Sequence, residues 1–534
     1  GPTLPGGAGP PAGSPQRDSR GDPAPAWKPG IEGQRKADLG DGRYLNPVLA
    51  GDRPDPNVLK DGDDYYATFS SFQYYPGIPI WHSRDLVNWT PLTTALRQHI
   101  GIVWALDIAK HNGRYFIYIP ALDPSDAKRG IKTWVIHADK MAGPWSDPID
   151  MKIDNLIDPG LAVGEDGKRY LFLNGGNRVR ISDDGLSAAG PVEHVYDGWP
   201  IPQDWIIEGF ALEGPKVLRR DGWFYQFSGQ GGTAGPPTSH MVVVARSRSI
   251  HGPWENCPHN PIVRTQRAGE PWWSRGHATP VEGPKGDWWM IYHGYENGMR
   301  TLGRQMLLEP MEWTADGWPR ALGGDLSRPL AKPRGTVAGG HGTALSGFTE
   351  AMFGTHMAFQ TMDRDYANRV QLKDGVLRLA GRGTGPADAS PLTFVAGDRA
   401  YQIDVELEVE GDAQGGLLLF YNEKLFCGIG LSDGKLHAWR IGQEERWPPG
   451  GPASSRRMHM RIVNDENIVT FFHSLDGRTW TKERSVEVAG YNHNIADGFL
   501  SLRPALYAAG KGHVTFRSLS YRARRANAET GSGA

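Results

Sequence analysis

The sequence predicts an all-β chain, a five-bladed β-propeller followed by a β-sandwich of jelly-roll or concanavalin-like type. Three observations predict it. A strand–turn–strand unit recurs five times before residue 300. The composition, with 70 Gly, 41 Pro and 19 Trp, calls for many turns and many aromatic strands. No convincing amphipathic helix pattern occurs in 40–330.

The units are DPNVLKDGDDYYATFS (55–70), LDIAKHNGRYFIYIP (106–120), DPGLAVGEDGKRYLFLN (158–174), EGPKVLRRDGWFYQFSG (213–229) and HATPVEGPKGDWWMIYHG (277–294). Each has a short apolar strand, a polar turn containing Gly, and an aromatic strand. Glycine supplies the positive φ of a tight hairpin, and aromatic residues fit the pleat. Successive units begin about 50 to 65 residues apart, too long for a solenoid and suited to a four-stranded blade. A second element follows several of them: HSRDLVNW (82–89), HADKMAGPW (137–145), a weaker ISDDGLSAAGP (181–191) and ARSRSIHGPW (245–254). It reads as an outer strand that turns at the rim of a blade. A large two-sheet sandwich would not require this fixed order.

Residues 1–40 read as a disordered Pro/Gly-rich tail, 41–330 as the propeller and 331–344 as a linker; 345–525 read as the sandwich and 526–534 as a frayed end. From about 345 short strands recur, and alternation is clear in YQIDVELEVE. The N-terminal tail is a candidate tether left after export, which would place the protein in the periplasm or outside the cell. A cytoplasmic location is the alternative.

Composition also excludes function classes. The net charge is −2 with both signs mixed, so there is no basic stripe for nucleic acid and no polybasic membrane patch. No apolar run approaches the ~18 residues of a membrane helix. Two cysteines far apart, Cys257 and Cys427, rule out a disulfide framework and a cysteine-rich zinc site. The expected partner is a small oligosaccharide, whose C–H faces stack on aromatic rings.

In a propeller the inner strand of each blade lines a shared channel. The residues at the five entrances are Asp55, the Trp104–Asp107 segment, Asp158, Glu213 and His277. One Asp-Pro alone would be a turn starter. Three acids at equivalent places repel one another in a partly dry pocket, a cost that function explains. Glycoside hydrolysis needs such a set: an ionised carboxylate to activate water and a protonated one for the leaving oxygen. A third acid raises the pKa of the second. Metal binding by all three is the weaker reading, because no DxDxDG or HExxH loop occurs. A non-catalytic carbohydrate-binding propeller is the rival from another class.

RPDPNVLKDGDDYY, IDPGLAVGEDGKRYLFLN, LEGPKVL with GQGGT, GHATPVEGPKGDWWMIYHGY and TLGRQMLLEPMEW occur here in order. Together they resemble the family 43 glycoside hydrolases, in the β-xylosidase/α-L-arabinofuranosidase branch that carries a C-terminal β-sandwich. The resemblance implies an exo-acting inverting enzyme that releases a terminal pentose; action on arabinan or galactan is the alternative. It implies Asp55 as general base, Asp158 as the tuning acid and Glu213 as general acid, with carboxyl groups about 6.5–9.5 Å apart. Phe72, Trp104, Thr233 and Arg304 would surround the sugar. His277 would lie at the axis beside a water or a structural calcium ion, with no cofactor required. In relatives an aromatic from a sandwich loop closes the pocket, and Tyr507 in LRPALYAAGKG (502–512) is the candidate here. Relatives often have Trp-Ala-Pro where this chain has Trp104-Ala105-Leu106.

Overall fold

The computed structural model describes residues 28–29, 34–335 and 347–524. Five antiparallel sheets of at least four strands each follow one another along residues 57–321, and each pairs its strands in sequence order. The inner strands are Asn57–Asp61, Asp107–His111, Gly160–Val163, Leu212–Arg220 and Trp272–Glu282. Inner hairpins close tightly where the sequence supplies positive φ. Asn112 and Gly113 are at 48° and 77°, Asp221 and Gly222 at 51° and 75°, the backbone of a type I′ turn. Apolar faces of neighbouring blades pack on each other. Trp81 and Trp89 of the first blade share one core with Trp289, Ile291 and Met306 of the fifth.

The ring is closed by the segment ahead of the first blade. Arg43–Tyr44 pairs with Leu330–Ala331, and Val48 N–H donates to the Met306 carbonyl of the last blade at 3.0 Å. Residues 34–40, expected in the tail, belong to this closure. Arg35 makes a two-pronged contact with Glu296 at 2.7 and 2.9 Å, and Asp38 is buried against Lys332 at 2.7 Å. Their charges find partners hundreds of residues away, which local composition does not reveal. Residues 1–27 and 526–534 lie outside the described residues, as does most of the expected linker.

The second domain is a sandwich built on two bent strands, Ala400–Asn422 and Arg503–Ala523, which pair along almost their whole length. Their outer halves belong to one layer, with Arg457–Asp465 and Val376–Ala380 as neighbours. Their inner halves belong to the other, beside Leu425–Ser432 and Leu392–Phe394. The bend falls at Gly510 and Gly512, where an added Cβ would come within 2.5 and 2.2 Å of the carbonyls of Asp412 and Glu410. The second layer does not end within its own domain. Its edge strand Met357–Gln360 pairs with Tyr74–Tyr75 of the propeller's first blade. Among the described residues no helix is long and apolar enough to cross a membrane.

Candidate active site

The channel-facing acids are set by an unusual backbone. Asp55, Asp158 and His277 have φ of 54°, 60° and 66°. A non-glycine residue held there costs about 1 kcal/mol or more, and such strain collects at functional sites. Pro56 and Pro159 bias the preceding aspartates toward extended backbone, so the surrounding structure overrides local preference. Glu213 and His277 sit beside irregularities in their strand pairing, between Glu213 and Lys216 and between Gly276 and Thr279. Bulges re-aim side chains.

Asp55 is the most heavily partnered. Ser70 Oγ donates to its Oδ2 at 2.5 Å, while Oδ1 faces His277 Nδ1 at 3.1 Å and Arg304 Nη1 at 3.3 Å. Burial alone would raise its pKa, but Arg304 and His277 overcome that and hold it well below the usual carboxylate range. Its N–H donates to His293 Nδ1 at 2.9 Å, which leaves the proton of His293 on Nε2, donated to Thr233 Oγ1 at 2.9 Å. Burial and the neighbouring Arg304 keep His293 neutral.

The other two acids are shifted the opposite way. Asp158 Oδ2 accepts from Gly214 N–H at 3.0 Å, yet burial and the Asp55 charge raise its pKa. Glu213 is raised further, by burial first and then by Asp158. Its side chain retains 22% exposure toward solvent, against 9% for Asp55. The site therefore combines a carboxylate that favours its ionised form with one that favours its proton. The remaining entrance acid, Asp107, is structural: its carboxylate bonds Lys216 Nζ at 2.9 Å and Leu161 N–H at 2.7 Å.

An apolar wall completes the site. Phe72 and Val103 exchange main-chain hydrogen bonds at 2.7 and 3.1 Å, which ties Phe72 to the segment that carries Trp104. Arg304 lies over the Phe72 ring at 5.8 Å and over Phe499 at 5.3 Å, and the two rings stack 6.5 Å apart. Phe499 comes from the sandwich. Its ring stacks on His493 at 3.9 Å, and the Asn494 amide clamps the Gly235 main chain at 2.9 and 3.1 Å.

One expectation is corrected. Tyr507 is not in the pocket. It lies fully buried in a sandwich core with Leu418, Phe420 and Phe426, and its hydroxyl bonds Gln414 at 2.7 Å. The aromatic contributed by the sandwich is Phe499, from the preceding loop. The Nδ1 of His277 is engaged by Asp55 at 3.1 Å, and the far edge of its ring lies against Gly214, where a Cβ would come within 2.8 Å. Among the described residues no group of three or more His, Cys, Asp or Glu is arranged to hold a metal.

The sequence profile of Glycosyl hydrolases family 43 matches residues 44–319, nearly all of the five blades. The chain belongs to glycosyl hydrolases family 43. This family-43 hydrolase is 32% identical to a xylan 1,3-beta-xylosidase of a Vibrio species, over 51% of this chain and 56% of the relative. It is 31% identical to a non-reducing end alpha-L-arabinofuranosidase of Bacteroides ovatus, over 52% and 53%. The matched stretches thus span about half the length of these curated relatives. Among solved structures, a GH43 protein of Bacillus licheniformis superposes with a TM-score of 0.79 at 25% identity, covering 90% of this chain and 100% of its own. That coverage takes in both domains of the family-43 chain.

Proposed function

We propose that the chain is an exo-acting, inverting glycoside hydrolase that removes a terminal β-D-xylosyl or α-L-arabinofuranosyl unit from plant-wall oligosaccharides. The observation that carries this reading is the opposite setting of two acids in one pocket, Asp55 ionised and Glu213 protonated. Asp55 takes a proton from the attacking water, and Glu213 gives one to the leaving oxygen. Asp158 supplies the charge that keeps Glu213 protonated. Arg304 offers hydrogen bonds to sugar hydroxyls while balancing Asp55, and Phe72, Trp104 and Phe499 bound the terminal sugar. The sandwich loop that carries Phe499 supports action at chain ends. The names of the relatives support a pentose, and the reaction calls on no cofactor.

Aryl β-xyloside and aryl α-arabinofuranoside are the test substrates, with NMR of the first anomer released. Release of the inverted sugar from either is expected. Retained configuration would overturn the mechanism. Release only from arabinan or galactan fragments would move the substrate class, and binding without release from any glycoside would make this a binding propeller.

The third acid has its own expected effect. Asp158→Asn removes a charge that raises Glu213, so Glu213 gives up its proton at lower pH. The alkaline limb of kcat/KM is expected to move down by roughly one pH unit. A pH profile of the variant against the parent measures this.

A further inference from the structure

We infer that His240 is a positioning residue for the proton donor. Its Nδ1–H holds Oε1 of Glu213, so that Oε2 carries the proton toward the leaving oxygen. The inference rests on the proposed role of Glu213 and adds a residue that neither the sequence reading nor the mechanism above uses.

The His240 ring is fully buried; the Gln230 main chain lies near it, but among the described residues neither ring nitrogen makes a well-formed hydrogen bond. A buried polar group in that state is costly, and an apolar residue of similar shape would avoid the cost. The chain instead makes room for the ring. It lies between two glycines from the fourth and fifth blades: an added Cβ at Gly276 would come within 2.2 Å of it, and one at Gly229 within 2.9 Å. It also stacks on His293 with centroids 5.5 Å apart and planes at 13°.

Nδ1 of this clamped ring is 3.9 Å from Glu213 Oε1. Among the described residues no hydrogen bond reaches the Glu213 carboxyl, whereas Asp55 and Asp158 both have firm donors. Catalytic contacts are often long without substrate and tighten when it binds. A donor on one oxygen leaves the other free for the sugar. The charged and titratable groups around the pair are Asp55, Asp158, His277, His293 and Arg304. Burial, helped by His277, holds His240 neutral, with its pKa lowered to about 3. A neutral ring can orient the acid without drawing off its proton.

The test compares His240→Phe, His240→Asn and His240→Gln. The Asn side chain places its amide N–H where Nδ1 lies, and Gln places it near Nε2. The Phe and Gln variants are expected to lose about 10- to 100-fold in kcat on an alkyl xyloside, which needs acid assistance, and far less on a dinitrophenyl xyloside. Their alkaline limb should move up, because the carboxylate has lost a donor. The Asn variant should keep most of the parent's rate and limb. Equal losses on both substrates, an Asn variant no better than Gln, or a limb that stays or moves down would overturn the proposal. If Phe fails to fold, the Asn–Gln pair decides.

An infrared titration of the protonated Glu213 carbonyl, assigned by its loss in Glu213→Gln, follows the same contact without turnover. Its midpoint should rise in the Gln variant and hold in the Asn variant; an unmoved midpoint in the Gln variant would overturn the proposal. A parent that hydrolyses no glycoside yet shows this shift would refute the proposed function alone.

Discussion

Replacing Asp55 with Asn is expected to lower kcat by about 10²- to 10⁴-fold on every glycoside the enzyme accepts, whatever its leaving group. The amide matches the carboxylate in shape and can still accept from Ser70, so the site keeps its form. It cannot take a proton from water. Every substrate needs that water, so a better leaving group gives no relief. Arg304 and His277 lose the charge they face. His277 can shed its proton, while Arg304 keeps its charge and should weaken the fold measurably. Circular dichroism and a melting curve separate that loss from the kinetic one. Azide, a nucleophile that needs no deprotonation, should recover part of the rate and yield the inverted glycosyl azide. A variant within tenfold of the parent, with the fold intact, would remove Asp55 from its role.

Glu213→Gln should behave differently, and the difference identifies the acid. On an oligosaccharide or alkyl glycoside the loss is again about 10²- to 10⁴-fold. On a dinitrophenyl glycoside, whose leaving group departs without protonation, most of the rate should remain. The alkaline limb of the parent should also vanish. That limb records loss of the Glu213 proton, whose affinity burial and Asp158 raise, and glutamine has no proton to lose in this range. Steady-state rates on the two substrate types across pH measure both effects. Equal losses on both would reassign the proton donor.

Much of this was legible because a blade repeats. Five hairpins with glycine turns mark the inner strands, and the residue ahead of such a strand faces the axis. Asp55, Asp158 and Glu213 could be singled out from that alone. What the sequence hid depends on long-range contact. The left-handed backbone of Asp55 and Asp158 runs against the preference of the prolines that follow them. His293 sits on the second strand of its blade and His240 just ahead of the third strand of another, where nothing local separates a ring at the axis from a ring in a core. Tyr507 is the candidate when LRPALYAAGKG is set against the closing loop of relatives. Register with Gly416 places that stretch inside the sandwich sheet instead. Phe499 follows an unremarkable loop, and only the clamp of Asn494 on Gly235 brings it to the sugar side.

The pairing of Tyr74–Tyr75 with Met357–Gln360 bears on how such a protein can be inherited. The sandwich is not a module that recombination could exchange for any other domain. A replacement would have to offer a free sheet edge for those two tyrosines. It would also have to carry an aromatic ring to the place Phe499 holds. A gene truncated after the last blade would encode a propeller with an open strand and one wall of its cavity missing. Lineages of this architecture are therefore bound to pass on both halves together, and their variation should gather in the loops that neither half needs for the seam.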